Sequence, residues 1–292
     1  MKKKKKIGVF DIGNCIFMLF ILFITVYPLY FTVIASFSEP SAVATGEVVW
    51  RPVGFTLDSY KQVFAYKQIW KGYANTIFYT VLGTVFNLFL TIPAAYAVSK
   101  KYLPHRKLLM GFFLLTMYFS GGMVPTYLLV KDLGMYNTIW AILIPNALST
   151  YNLIVAKTFF ENSIPEELYE SARLDGCGNI SMLLRIVLPL SKAILAVLVL
   201  YYAVAIWNSY FDALIYLKDS SLHPLQIVLR NILLLGQTEQ MGTNDVGMAE
   251  KIKMAEAIKY SVIVVSSIPM LLLYPFVQKY FVKGVMIGAV KG

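Results

Sequence analysis

The 292-residue chain is 58% hydrophobic and only 14% charged, with a mean hydropathy of +0.64. A soluble domain carries about a quarter charged residues, and one water-facing globule of this size cannot bury so much apolar surface, which excludes an ordinary soluble enzyme. The net charge of +10 in so apolar a chain points to basic flanks on the cytoplasmic side of a membrane rather than to nucleic acid. Cys15 and Cys177 lack CxxC spacing, and His105 and His223 stand far apart. Neither pair marks a disulfide framework, a metal centre or a catalytic pair.

A membrane-spanning helix needs about 20 mainly apolar residues. Six such windows predict six transmembrane helices, at residues 12–34, 76–98, 108–130, 138–156, 190–211 and 261–278. The charged residue inside them is Lys192, close enough to an end to snorkel. Each window contains or borders a helix disruptor: Pro28, Pro93, Gly121-Gly122 with Pro125, Pro145, Pro189, and Pro269 with Pro275. In lipid these read chiefly as kinks in packed helices. With the N-terminus in the cytoplasm, the inner segments hold 16 basic and 6 acidic residues and the outer segments 10 of each. The positive-inside rule therefore puts both termini in the cytoplasm. The first apolar run, 23 residues after five lysines, is too long for the core of a signal peptide and is read as a retained helix.

Between the windows, the outer loop 37–75 is long enough for a short helix on the membrane face. The turn 99–107 is short and basic, and 131–137 closes a hairpin at Gly134. In the long outer segment 212–260, residues 248–260 alternate Ala, Met and Ile with Lys and Glu at helical spacing, which predicts a helix entering the last span. The inner loop 161–189 is the most informative. Ser163 followed by Glu166 has the spacing of a capping box, and Glu166, Glu167 and Glu170 fall where the helix dipole favours negative charge. Tyr169, Ala172 and Gly176 share one stripe, whose small members would let a partner's backbone approach, and Gly176 and Gly178 can end the helix. These features predict a short amphipathic helix on the cytoplasmic face.

Glu170-Ser171-Ala172, three residues, Gly176, nine residues and then Ile186-x-Leu188-Pro189 resembles the EAA loop of binding-protein-dependent ABC importer permeases, EAA-x3-G-x9-I-x-LP. Ser171 replaces the middle alanine, a small-for-small change. Arg173-Leu174-Asp175-Gly176 and the ending from Phe281 to Gly292 are similar to the carbohydrate-uptake branch, including the smaller permease of the maltose importer and the subgroup for polysaccharide or complex oligosaccharide uptake.

That resemblance implies an all-α integral membrane protein of type I importer permease fold. It has a basic N-terminus, first helix and outer loop (1–72), a translocation domain (73–282) and a cytoplasmic tail (283–292). It implies coupling to an ATPase through Glu166, Glu167, Tyr169, Glu170, Ser171, Ala172, Arg173, Asp175, Gly176, Ile186, Leu188 and Pro189, and a tail contact through Ala289, Val290, Lys291 and Gly292. The chain lacks a G-x4-G-K-S/T loop, so it is not itself an enzyme and binds no cofactor directly. ATP and Mg would belong to two cytoplasmic ATPase subunits. A second permease subunit, an extracytoplasmic sugar-binding protein and membrane lipid complete the implied partners.

Sugar sites stack pyranose faces on aromatic rings and bind hydroxyls through amides and carboxylates. Composition and position nominate Asn87, Tyr118, Asn152, Tyr201, Trp207, Asn208, Tyr210 and Asp212 for the substrate path. An ion-coupled transporter would place ionisable groups at membrane depth, and the six windows hold none near their centres. A non-sugar substrate of the same importer class is the remaining alternative.

Overall fold

The computed structural model describes residues 8–235 and 257–272, and all regular structure among them is helical. In chain order the helices are α1 (Val9–Ser36), α2 (Pro40–Ala44), α3 (Asp58–Ala65), α4 (Lys67–Ser99), α5 (Arg106–Tyr118), α6 (Met123–Asp132), α7 (Trp140–Leu143), α8 (Thr150–Ser163), α9 (Glu166–Leu174) and α10 (Asn179–Met182). A π-helical turn, Leu183–Val187, leads into α11 (Leu188–Leu190), followed by α12 (Lys192–Trp207), α13 (Phe211–Tyr216), a 3-10 turn at Ser220–Leu222, α14 (Leu225–Leu235) and α15 (Ala257–Leu272). The chain divides into two compact units, Met1–Ile69 with Leu229–Ile268, and Trp70–Val228 with Pro269–Gly292.

In the first unit α1 runs 28 residues, about 42 Å at 1.5 Å per residue, which is ample for a bilayer core. The Asp11 carboxylate accepts from the Gly8 amide at 2.9 Å and so satisfies a free donor at the helix start. The large apolar side chains of α1 stay exposed, Phe10 at 83% and Phe20 at 60%, as a lipid-facing helix requires. Its last turn packs Ile34 against Ala42 and Val48.

In the second unit α4 crosses 33 residues without a break, Pro93 included. Three of the remaining expected spans are not single rods. Window 108–130 is α5 and α6, bent by 110° across Phe119–Gly122, where Gly122 adopts φ +90°. Window 138–156 holds only the one-turn α7, then a non-helical stretch around Pro145, then α8, which continues to Ser163. The fifth window begins at an 88° elbow at Ser191 between α11 and α12. Two described helices are long and apolar enough to cross a membrane alone, and up to four if each bent pair is one span. Of the last window, residues 273–278 lie outside the described residues. So do residues 248–256 of the helix expected before it, which is helical from Ala257.

The turns of the second unit are fastened by side chains of α4. Asn75 Nδ2 donates to the carbonyls of Ser221 (2.9 Å) and His223 (3.0 Å). Thr76 Oγ1 accepts from the Leu225 amide (2.8 Å), and the Tyr79 hydroxyl donates to Leu222 O (2.8 Å). Gly72 permits this closeness, since a Cβ there would lie 3.1 Å from Leu225 Cα. A second fastening is Asn137, held at φ +58°. Its Oδ1 accepts from the amides of Lys218 (2.9 Å) and Asp219 (2.8 Å). Asn137→Ala removes the acceptor and puts a Cβ residue without local compensation in the left-handed region, an expected loss of about 2–3 kcal/mol. Asn137→Gly keeps the backbone geometry and should lose less. Thermal unfolding of the detergent-solubilised protein measures the order, and equal losses would refute the backbone contribution.

Candidate functional site

The helix α9 carries seven of the residues nominated for coupling, Glu166 to Arg173, and Asp175 and Gly176 follow its end. Its start differs from the capping box expected at Ser163, which is the last residue of α8. The residue before a proline is driven out of the helical region. Accordingly Ile164 (φ −114°, ψ 113°) and Pro165 (φ −58°, ψ 142°) are extended, and α9 starts afresh at Glu166 with no side-chain cap. Its end is a Schellman closure: Gly176, at φ +77°, donates to Arg173 O (3.0 Å) and Cys177 donates to Ala172 O (2.9 Å).

Tyr169 and Ala172, 2% and 8% exposed, point into the unit's own core with Phe160, Ile164, Met182 and Val187. Ala172 is therefore not open to a partner's backbone, which corrects the small-faced stripe read from the sequence; Gly176 does remain exposed. Glu166, Glu167, Glu170, Ser171, Arg173 and Asp175 are exposed. With them stand Leu168 and, at 89% exposure, Leu174. Sequence reasoning passed over Leu174, although an apolar residue three positions after Ser171 on an otherwise charged face is a readable signal.

Two cations lock α9 to the turn that follows α4. Lys100, 6% exposed, sets its ammonium over the Tyr169 ring and 4.6 Å from the centre of the Tyr96 ring. Burial pulls the Lys100 amine down to about 8, partly offset by the Glu166 charge. The same burial pushes the Tyr169 phenol up. Arg173 stacks 4.3 Å from the centre of the Tyr102 ring, whose hydroxyl donates to Asn179 Oδ1 at 3.1 Å. Beside this, Glu161 on α8 pairs with Arg106 of α5 and with Lys157 (2.7 Å), while Arg106 Nε also donates to Val98 O at 2.7 Å.

Beyond α9, Ile186 and Leu188 are half-buried and Pro189 is exposed. In an α-helix the Pro189 ring would meet the carbonyl of Arg185, four residues back. The π turn Leu183–Val187 widens the helix there. The nominated tail residues Ala289, Val290, Lys291 and Gly292 lie outside the described residues.

A cavity of about 830 Å³ opens between α4, the non-helical stretch around Pro145, α8 and the α12–α13 corner. Of the residues nominated for the substrate path, Asn87, Asn152, Tyr201 and Asp212 line it. The other four are placed elsewhere. Tyr118 is 77% exposed at the end of α5. Trp207 is buried edge-on to Tyr73 at 6.3 Å. Asn208 turns its amide back to Val204 O (2.9 Å), and Tyr210 stands exposed beside Phe211.

The structure adds Asn146 and Tyr151 to the wall. Asn146 Nδ2 donates to Asp212 Oδ2 at 2.8 Å, and the Tyr151 and Tyr201 rings lie 6.2 Å apart. The non-helical stretch is pinned from behind: the Tyr202 hydroxyl accepts from the Ser149 amide (3.2 Å) and pairs with Thr91 Oγ1 (2.5 Å). The Asn87 amide, oriented to donate, reaches the carbonyls of Ala147 (3.2 Å) and Gly83 (3.0 Å).

Comparison with known proteins agrees with this arrangement. Residues 69–287 match the family described as binding-protein-dependent transport system inner membrane component. The chain is 42% identical over 292 residues to Protein LplC of Bacillus subtilis (strain 168), covering 100% of this chain and 98% of that protein. It is 41% identical over 276 residues to the polygalacturonan/rhamnogalacturonan transport system permease protein YtcP of the same organism, covering 94% and 96%. Among solved structures it is similar to a chain from a bacterial ABC transporter involved in the import of the acidic polysaccharide alginate. That likeness has a TM-score of 0.86 and 33% identity, over 96% of this chain and 99% of that one. With the motif, the all-helical architecture and these likenesses in agreement, the chain belongs to the family of inner membrane components of binding-protein-dependent transport systems.

Proposed function

We propose that this chain is one of two permease subunits of an ATP-driven importer of oligosaccharides or polysaccharides. In this reading it spans the membrane six times with both termini in the cytoplasm, the bent pairs each counting as one span. Residues 73–282 form the translocation domain, and the basic N-terminal part and the tail flank it. A different permease completes the path, an extracytoplasmic binding protein delivers sugar, and two cytoplasmic ATPases bind and hydrolyse ATP with Mg. The relatives named for polygalacturonan and alginate transport support the carbohydrate assignment.

The observation that carries the coupling role is the two-sidedness of α9. Its inner face is fixed by Tyr169, Ala172 and Lys100, while its acidic outer face is left bare. A helix held in this way moves as a handle, so ATPase closure against Glu170 and its neighbours tilts the helices behind it. Gly176 fits the same role, because its φ of +77° closes the helix in one residue.

The test uses proteoliposomes holding the whole importer with either Glu170→Ala or Gly176→Leu. Uptake should fall about 10- to 100-fold, the scale of a lost inter-site coupling, with membrane insertion unchanged. Full transport by both variants would remove the coupling role from this loop.

A further inference from the structure

We infer that the cavity beside Asp212 is a subsite for an uncharged, hydroxyl-rich sugar unit, and that Asp212 is the residue that turns carboxylate-bearing units away. The inference rests on the carbohydrate-importer reading, names the substrate class for this half of the path, and sets it apart from the acidic polysaccharides in the names of two proteins the chain resembles. At about 830 Å³ the cavity has the size of a small-molecule site. Asn87, which lines it, stands well inside the 33 residues of α4. Polar groups at that depth face a bundle interior or a water-filled path rather than lipid.

The wall is mixed, with Ile142, Leu148, Leu200 and Ile206 set among its polar groups. Its polar groups include Asn146, Asn152, Tyr151, Tyr201 and Ser209; among the described residues that line it Asp212 is the charged one, and none is lysine, arginine or histidine. The Asn146 amide occupies one oxygen of that carboxylate, Oδ2, and fixes its direction. Among the described residues no hydrogen bond engages the other oxygen, which can accept from a ligand donor. A sugar hydroxyl supplies one, whereas a uronate carboxylate supplies only acceptors and a second negative charge. The Tyr151 and Tyr201 rings, 6.2 Å apart, offer an apolar facet for the face of a pyranose. A site built for uronates would place arginine where Asp212 stands, because planar guanidinium matches a carboxylate in two hydrogen bonds. Placing two negative charges together in a partly desolvated cavity is the repulsive element by which a site rejects a ligand.

The test uses the complete importer in proteoliposomes with a matched pair of labelled probes, an oligogalacturonate and its carboxyl-reduced counterpart of equal length. The deciding quantity is the ratio of their kcat/KM values in wild type against Asp212→Asn, since selection by the binding protein is common to both. Wild type should favour the neutral chain, and Asp212→Asn should shift the ratio toward the uronate by about 10- to 100-fold. Asn146→Asp, which adds a second carboxylate, should shift it the other way, and it carries the test if Asp212→Asn fails to assemble. A wild-type preference for the uronate, or a ratio unmoved by either variant, overturns the inference and leaves the importer reading intact. If the complex takes up neither glycan yet couples ATP hydrolysis to a non-sugar solute, the importer reading itself falls, and this inference with it.

Discussion

Tyr169→Ala is expected to abolish uptake while ATP hydrolysis continues at a rate no longer governed by the loaded binding protein. The ring is 2% exposed and fills the contact between α9 and the core around Phe160, Met182 and Val187. Emptying an aromatic site of that kind costs about 3–5 kcal/mol. The nine residues of α9 have little else facing inward, so the loss falls on the docking of this one helix. It also strips the Lys100 ammonium of the face that compensates its burial. Tyr169→Phe separates packing from chemistry. The Tyr169 hydroxyl is buried without a hydrogen-bond partner among the described residues, and such a group is a burden of about 1–3 kcal/mol. Phenylalanine keeps the ring and the cation contact, so it should retain full coupling with equal or greater thermal stability. The readout is ATPase activity in proteoliposomes with and without the binding protein, set beside uptake. If Tyr169→Ala keeps uptake in step with hydrolysis, α9 does not depend on this anchor.

What the sequence made legible was apolar content, and what it hid was direction. The windows at 12–34 and 76–98 became α1 and α4 because a run of apolar residues without glycine pairs has one stable solution in lipid, a helix. Prolines guided to breaks only in part, at Pro145 and at Pro189 beside the Ser191 elbow. Pro28 and Pro93 sit inside unbroken helices, whereas the sharp bends fall at Gly122, with φ +90°, and at Ser191. A bend of 110° leaves hydropathy unchanged, so window 108–130 read as one rod.

The motif marked the position of α9 and left its contacts unstated. Lys100 and Tyr169 are far apart in the chain, and no local spacing links them. The same limit divided the substrate-path residues. Trp207, in the last turn of α12, is buried instead against Tyr73, a contact that no local spacing reveals. Asn208 comes into line with Tyr201 seven residues on, but α12 has ended and its amide closes on Val204. Asn146 was hidden for a different reason: its role depends on the chain leaving helix around Pro145, inside a window that hydropathy treats as continuous.

Glu161→Ala should be the most destabilising single charge change on this face. Glu161 is the shared carboxylate of Arg106 and Lys157, and all three side chains are only 16–25% exposed. Burial and the neighbouring Arg106 charge already pull the Lys157 amine downward, so the two cations are held together against their own repulsion by this one anion. Removing it leaves both unpaired. Breaking a fully buried pair costs about 3–5 kcal/mol, and the residual exposure here places the expected loss at about 2–4 kcal/mol. The damage spreads, because Arg106 also ties the end of α4 through Val98 O, and α8 leads directly into α9. Thermal unfolding in detergent should fall for Glu161→Ala and less for Glu161→Gln, which keeps an acceptor. The double variant Glu161→Ala with Lys157→Met should recover part of the loss, since it removes one of the stranded cations along with the anion. Strictly additive losses in that cycle would mean the three side chains do not act as a unit, and that the frame behind α9 is set by apolar packing alone.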